Sequence, residues 1–390
     1  SFSMLTSYYT PNDIIKPVQD IVIDYFKKNN FDTLSICEPS AGTGNFIHDL
    51  VSDKNYIDAI EIDNFTAKVL KNNINHPNVK VHNVGYENFK TDKKYDLVIG
   101  NIPFGNFSIY DDSLSREKIN IVNGQIHNYF FLKSVENLKP GGVLALMTTA
   151  SMNNSSNGTL IREYLMKETN LISCVRFNDT TFKERNTKVI SDLIIVQKPL
   201  ERKLQITPRE QKYINTVPSL LKPDTNLNQY VSENPANMMG EYYVTKGYAG
   251  RDIVSVTAND FDYSIILPIT LQNDFDTFSI KNLNYQNLEK KDTIEEQAKK
   301  TALYQKENAG ILNSYPNVVL GNVVEFNNEF FKVVLNPEAS SLYTKIPMTI
   351  QPLDKENLSL LIQVREGFKD LTLARKKKNP HKKKKQKIEL

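Results

Sequence analysis

The first 200 or so residues predict an α/β chain built on a doubly wound, mostly parallel sheet. Three observations carry that expectation. From residue 33 onward, short apolar runs alternate with amphipathic stretches, and strand–helix alternation implies right-handed crossovers and parallel strands. The last two apolar runs, 171–177 and 189–198, have no helix between them, which predicts an antiparallel hairpin at one end of the sheet. Turns bearing glycine, carboxylate and amide groups come directly after successive strands, at the edge where open α/β sheets bind ligands.

Each element has its own reason. Residues 11–27, "PNDIIKPVQDIVIDYFK", space their apolar positions as a helix does, with Thr10 as N-cap, Pro11 in the first turn and a kink at Lys16–Pro17. Strands are expected at 33–39, 56–63, 79–84, 95–100 and 142–149, where apolar residues run short and dense. Helices are expected at 45–53, 64–74, 126–138 and 159–168, from apolar positions three and four apart. After Pro199 the character changes. Residues 200–235 are polar, with Pro208, Pro218, Pro223 and Pro235, and read as a linker with a short helix. Residues 236–285 hold β-like patches, "EYYVTKGYAGRDIVSV" and "YSIILPI". A helix is expected at 286–310, a hairpin at 317–335 turning on Asn327–Asn328, and an amphipathic helix at 353–374.

Composition bounds the class. At 40% hydrophobic and 24% charged residues the chain is an ordinary globular one. No apolar run approaches the ~18–20 residues of a membrane span, and residues 1–10 lack the basic and apolar regions of a secretory signal. Ser1 to Ser3 precede Met4 and carry no weight in the assignment. Cys37 and Cys174, both within apolar runs, make neither a disulfide framework nor a metal cluster, and a reducing cytoplasm suits them. The net charge of +3 hides an asymmetry. "RKKKNPHKKKKQK" at 375–387 holds nine Lys or Arg, and removing them leaves 39 basic against 45 acidic residues. Such a cationic block either binds nucleic acid by counterion release or is a solvated end.

The chemistry lies in the turns at the strand ends. "CEPSAGTGNF" places Gly42 and Gly44 where a turn must be tight and a ligand must approach the backbone. A dinucleotide fingerprint would need a third glycine where Ile47 stands. Glu38, just before the turn, is an odd neighbour for a pyrophosphate and suits a cation. Glu61 ends the second strand, nineteen residues beyond Gly42, where a carboxylate accepts both hydroxyls of a ribose. The pocket therefore expects a nucleoside with a positive far end, which describes S-adenosylmethionine. The fourth strand ends in "YDLVIGNIPFGNF". An amine on an aromatic ring is a poor nucleophile, because its lone pair is delocalised. The Asn101 side-chain oxygen and the Ile102 carbonyl can accept its protons, Pro103 stiffens the turn and Phe104 stacks on the ring.

On these residues the chain resembles the amino-group DNA methyltransferases that modify adenine at N6, in the order with the methyl-donor motif first. "YYTP" (8–11) resembles that family's N-terminal motif, which implies Tyr9 and Thr10 near the methyl donor. "EPSAGTGNF" matches its glycine motif, with Glu38, Ser40, Gly42 and Gly44, and "AIEID" its ribose carboxylate, with Glu61 and Ile62. "NIPF" matches the catalytic Asn-Pro-Pro-Tyr/Phe pattern through Asn101, Ile102, Pro103 and Phe104, with Ile102 in place of the first proline. The position that binds the methyl donor's adenine amine falls in "NVGYENF", at Asn83, Gly85 or Glu87, and Glu87 is the acid among them. "TTFKERNTKVISDLIIVQK" resembles the late motif that holds a flipped base, which implies Phe182. The match extends to the methylase part of large mobile-element proteins, some with helicase-like parts.

The resemblance implies a Rossmann-like class I methyltransferase sheet over 5–199, a linker over 200–235, an accessory or target-recognition region over 236–374 and a basic tail over 375–390. It implies S-adenosylmethionine as cofactor, DNA as partner and transfer to adenine N6 after base flipping. Two loops, 105–125 and 151–158, come after strands on the active edge, and the first has the composition of a lid rather than a phosphate site. His127, in the motif helix, reads as structural. The rival readings are a methylase of RNA or of a protein glutamine amide, and a silent DNA-binding module. About 35 residues precede the glycine motif and about 190 lie beyond the sheet, which favours DNA over the glutamine enzymes with their leading helical domain. Asn101, Phe104 and both carboxylates argue against a silent module.

Overall fold

A computed structural model describes residues 10–182, 189–246, 252–258, 263–281, 283, 323–333, 343–345, 359–360 and 362–363. The chain divides into two units, 1–285 and 286–390.

The first unit is built on strands β1 (Ser35–Glu38), β2 (Tyr56–Ile60), β3 (Val79–His82), β4 (Tyr95–Asn101), β5 (Leu138–Thr149), β6 (Asn170–Phe177), β7 (Ser191–Gln197) and β10 (Met238–Met239). Their order is β10-β6-β7-β5-β4-β1-β2-β3. β3, β2, β1, β4 and β5 run parallel, and β7 is antiparallel to both β5 and β6. The expected hairpin is there, with β7 inserted between β5 and β6. It does not end the sheet, because β10 adds a parallel pairing along β6.

The central strands read as continuous apolar runs because both faces are covered. Leu97, Ile99, Val143, Ala145, Met147, Leu193 and Ile195 pack on one face, with helices α1 (Asn12–Lys28) and α9 (Tyr263–Phe278). Val98, Leu144, Leu146, Ile194 and Val196 alternate onto the other. There they meet α4 (Ile126–Glu136), α6 (Thr159–Glu168) and α7 (Pro208–Ile214). Helix α2 (Asn64–Asn73) comes after β2 and is capped by Asp63, whose side chain accepts from Thr66 N–H, while the short helices α3 (Arg116–Val122) and α5 (Ser151–Asn154) come after β4 and β5.

Four local expectations are corrected. Helix α1 runs unbroken through Pro17 and its N-cap is Pro11, not Thr10. Residues 45–53 form turns and one 3-10 turn, His48–Leu50, rather than a helix. Asn55 donates to Leu50 O, and Ser52 Oγ accepts from the N–H groups of Lys54 and Asn55, so side chains take the backbone groups a helix would use. "YSIILPI" opens α9 and is no strand. Pro268 cannot complete a ladder, while Leu267, Leu271 and Phe275 are buried at helical spacing. Residues 200–235 hold α7, the strands β8 (Thr216–Pro218) and β9 (Asn226–Asn228), and α8 (Gln229–Glu233). Thr207 and Glu210 form a capping box, and Arg209 donates to Leu171 O and Ile172 O. Tyr213, Tyr230 and Val231 are buried, so this segment is packed onto the sheet unit.

β11 (Glu241–Lys246) and β12 (Asp252–Thr257) form an antiparallel ribbon. In the second unit, β13 (Val323–Phe326) and β14 (Glu329–Val333) pair antiparallel, and β15 (Tyr343–Lys345) adds to β14. Asn327 and Asn328 both have positive φ, 53° and 64°, as a two-residue hairpin turn requires. The helix expected at 286–310, most of that at 353–374 and the basic tail lie outside the described residues. Among the described residues no helix is long and apolar enough to cross a membrane.

Candidate active site

The carboxyl ends of β1, β2, β3 and β4 open on one cavity of about 840 Å³. Of the residues singled out in the sequence, Thr10, Glu38, Ser40, Gly42, Glu61, Ile62, Glu87, Asn101, Ile102 and Pro103 line it. Gly44, Phe104 and Phe182 do not. Tyr9 lies outside the described residues.

The glycine turn is held from the neighbouring strand. Gly42 N–H donates to Glu61 Oε2 at 2.8 Å, and Asp63 N–H donates to Glu61 Oε1 at 2.7 Å. Gly42 has φ 53°, and a Cβ there would meet nothing within 4 Å, so its outer face borders open space. Gly44 serves packing instead. At φ 92° its absent Cβ would sit 2.6 Å from the side chains of Leu70 and Ile74, which lets α2 close on the turn.

Two carboxylates face the cavity. Glu38 is 1% exposed, and its Oε2 has no hydrogen-bond partner among the described residues. Burial pushes its pKa well up, and the neighbouring Glu61 adds to this. Glu61 is 8% exposed. Burial raises its pKa too, and the N–H groups of Asp63 and Gly42 offset part of the rise. Burial disfavours the charged form of both acids, and a cation placed beside them would favour it again.

The motif after β4 is pinned to both sides. Ile102 N–H donates to Met147 O at 3.1 Å, and Ser40 Oγ donates to Asn101 O at 2.7 Å. Asn101 Nδ2 donates to Thr10 Oγ1 at 3.2 Å. Thr10, expected to cap α1, orients this carboxamide instead. Gly100 lets β4 end beside Glu38, since a Cβ there would approach Glu38 Cγ to 3.3 Å.

Other candidates divide. Asn83 is a brace, donating to Glu61 O and Ile62 O, whereas Gly85 and Glu87 line the cavity. Phe104 is half-buried. Phe182 is 5% exposed within the apolar core that includes Phe177 and Leu193 and does not line the cavity. His127 is buried, its Nδ1 has no partner among the described residues, and burial lowers its pKa to about 4.

The cavity wall also uses residues that sequence patterns did not single out. Ile126 and Phe130 lie four apart on α4 and both line it, a helical spacing visible in "IHNYFF". Phe107, Ser108, Ile109 and Tyr110 line it from the segment after the motif, which shows no periodicity that could have found them.

Comparison with known proteins bears on this arrangement. Residues 23–182 match the model of the Eco57I restriction-modification methylase family. The chain is 27% identical over 197 residues to the Type II methyltransferase M.CvrRI of Paramecium bursaria Chlorella virus XZ-6E, covering 49% of this chain and 48% of that one. It is 27% identical over 230 residues to the Type II methyltransferase M.AccI of Acinetobacter calcoaceticus, covering 54% and 42%. It is also 26% identical over 197 residues to the Defense against restriction protein B of Escherichia phage P1, covering 50% and 8%. The chain thus spans less than half the length of each of these relatives.

S-adenosylmethionine, the methyl donor this family match implies, fits the residues present. The cavity has room for a nucleoside, Glu61 lines it just past the end of β2, where a carboxylate can accept ribose hydroxyls, and the buried Glu38 carboxyl can answer a cation. Over residues 23–182, the stretch that carries the sheet and its cavity, the chain is similar to the methylases of the Eco57I restriction-modification family.

Proposed function

We propose that this chain transfers a methyl group from S-adenosylmethionine to the N6 amine of adenine in DNA, with the target base flipped out of the duplex. One observation carries the reading. Glu38, Glu61 and Asn101, from the ends of three adjacent strands, line a single cavity, and Ser40 Oγ ties the glycine turn to the backbone carbonyl of Asn101. The names of the Type II relatives support DNA as the substrate.

S-adenosylmethionine, when bound, supplies an electrophilic methyl on a sulfonium. Glu61 accepts the ribose hydroxyls, Glu38 balances the cationic end and Glu87 accepts from the adenine amine of the methyl donor. Asn101 acts on the target. With Nδ2 committed to Thr10, the carboxamide presents its oxygen to the target amine, and the Ile102 carbonyl accepts a second proton. Holding both protons draws the lone pair out of the ring, so it points at the methyl group. Pro103 stiffens the turn, and Phe104 stacks on the flipped base. Ile102 supplies the same carbonyl a proline would. The work is positioning and electrostatics, with no covalent enzyme intermediate.

The test is single-turnover transfer of labelled methyl to duplex DNA, with product nucleosides separated. Asn101→Ala should lower the transfer rate ~100-fold or more while affinity for the methyl donor holds. Transfer at the parental rate, or label on protein and never on adenine, would refute the proposal.

A further inference from the structure

The segment that closes one side of the cavity is clamped by a single carboxylate. Asp111 Oδ1 accepts from Lys90 Nζ at 3.1 Å, Ser113 N–H at 3.0 Å and Ser113 Oγ at 2.6 Å. Its Oδ2 accepts from Tyr129 O–H at 2.6 Å. The Asp111 side chain is only 3% exposed. Burial works to raise its pKa, but the hydrogen bonds from Ser113, Tyr129 and Lys90 outweigh that and hold it well below the usual carboxylate range. The clamp is therefore charged at every working pH.

Its partners locate the segment. Lys90 lies three residues past Glu87, and Tyr129 packs edge-on against Tyr86, with ring centroids 6.4 Å apart. Tyr86 and Glu87 line the cavity on its β3 side. The chain after Pro103 therefore crosses from the catalytic motif to the wall beyond Glu61, the nucleoside end. On this crossing Tyr110 lines the cavity, yet it is 86% exposed. A ring so exposed contributes little to the fold, while the side chain beside it is buried and accepts four hydrogen bonds. Ordering a loop in advance lowers the entropy lost when a ligand meets it.

We infer that Tyr110 is a positioning residue that covers the adenosine end of the methyl donor, held over it by the Asp111 clamp. This rests on the methyl-donor reading of the cavity given above. A flat aromatic ring on a purine adds stacking beyond simple burial.

Calorimetry on the full chain tests this, with S-adenosylmethionine, S-adenosylhomocysteine and 5′-methylthioadenosine as probes. Tyr110→Ala should weaken all three by about three- to tenfold. Tyr110→Phe should restore them, because the ring and not the hydroxyl does the covering. Asp111→Asn should weaken all three to a similar extent and speed their dissociation. The unfolding temperature of Tyr110→Ala should match the parent. Unchanged affinities in Tyr110→Ala overturn the inference and leave the methyl-donor reading standing. So does a loss that spares methylthioadenosine, which lacks the amino-acid end. A slower transfer at saturating methyl donor with unchanged affinity places the ring on the target base instead and equally overturns it. A parent chain that binds none of the three probes defeats the methyl-donor reading and this inference together.

Discussion

Replacing Glu61 by Gln separates its two duties. In the folded chain Oε2 takes the Gly42 N–H and Oε1 takes the Asp63 N–H, at 2.8 and 2.7 Å. A carboxamide has one acceptor oxygen, so one of these N–H groups would face an NH₂ group. Hydrogen bonds to a charged acceptor contribute about 1.5–3 kcal/mol each. Losing one should destabilise the first unit by about that amount and lower its unfolding temperature by several degrees. The second duty is to the ribose. If the carboxylate also accepts the ribose hydroxyls, the bound state loses a similar ~1.5–3 kcal/mol, and affinity for S-adenosylmethionine falls about 10- to 150-fold. Calorimetry gives the affinity and thermal unfolding gives the stability. A variant that melts lower but binds S-adenosylmethionine within about twofold of the parent would make Glu61 a brace for the glycine turn alone, and would refute its role at the ribose.

Buried titratable groups give two more predictions. Burial and the neighbouring Glu61 raise the Glu38 pKa in the free chain; a bound cation lowers it again, so binding S-adenosylmethionine should release protons and tighten as pH rises. The calorimetric enthalpy should then depend on the ionisation enthalpy of the buffer, an effect lost in Glu38→Gln, and a buffer-independent enthalpy in the parent would count against a cation at Glu38. His127 has the opposite linkage: burial lowers its pKa to about 4, so the unfolded chain, titrating near ~6.5, binds the proton first. Its contribution to stability is present above the unfolded value and is lost as pH falls toward 4, by up to ~1.4 kcal/mol per pH unit. Unfolding free energies at pH 5 and 7 should differ less in His127→Leu than in the parent, and equal differences would exclude the histidine as the source.

The sheet and the residues gathered at its edge are legible in the sequence. Strands covered on both faces must be apolar throughout, so β4, β5, β6 and β7 stand out in the chain as dense apolar runs. The glycine, carboxylate and amide groups sit at strand ends because that is where a parallel sheet leaves its backbone open to a ligand. The Asn327–Asn328 turn is legible for a similarly local reason, since few residues accept positive φ twice in succession. Tertiary structure decided the rest. The apolar spacing of residues 45–53 and of α9 is short and ambiguous, so it misleads, and side-chain hydrogen bonds in one case and packing on α1 in the other settle the outcome. The orientation of Asn101 depends on Ser40, 61 residues away, and on Thr10, 91 residues away. No local pattern records such partners, because they meet only when β1 and β4 pair and α1 closes over them. The same holds for Tyr110. Its segment carries no periodicity, and the neighbouring Asp111 pairs with Lys90, 21 residues before it, and Tyr129, 18 residues beyond it. Periodicity records which face of an element is buried, whereas which loops converge on a site depends on contacts between residues far apart in the chain.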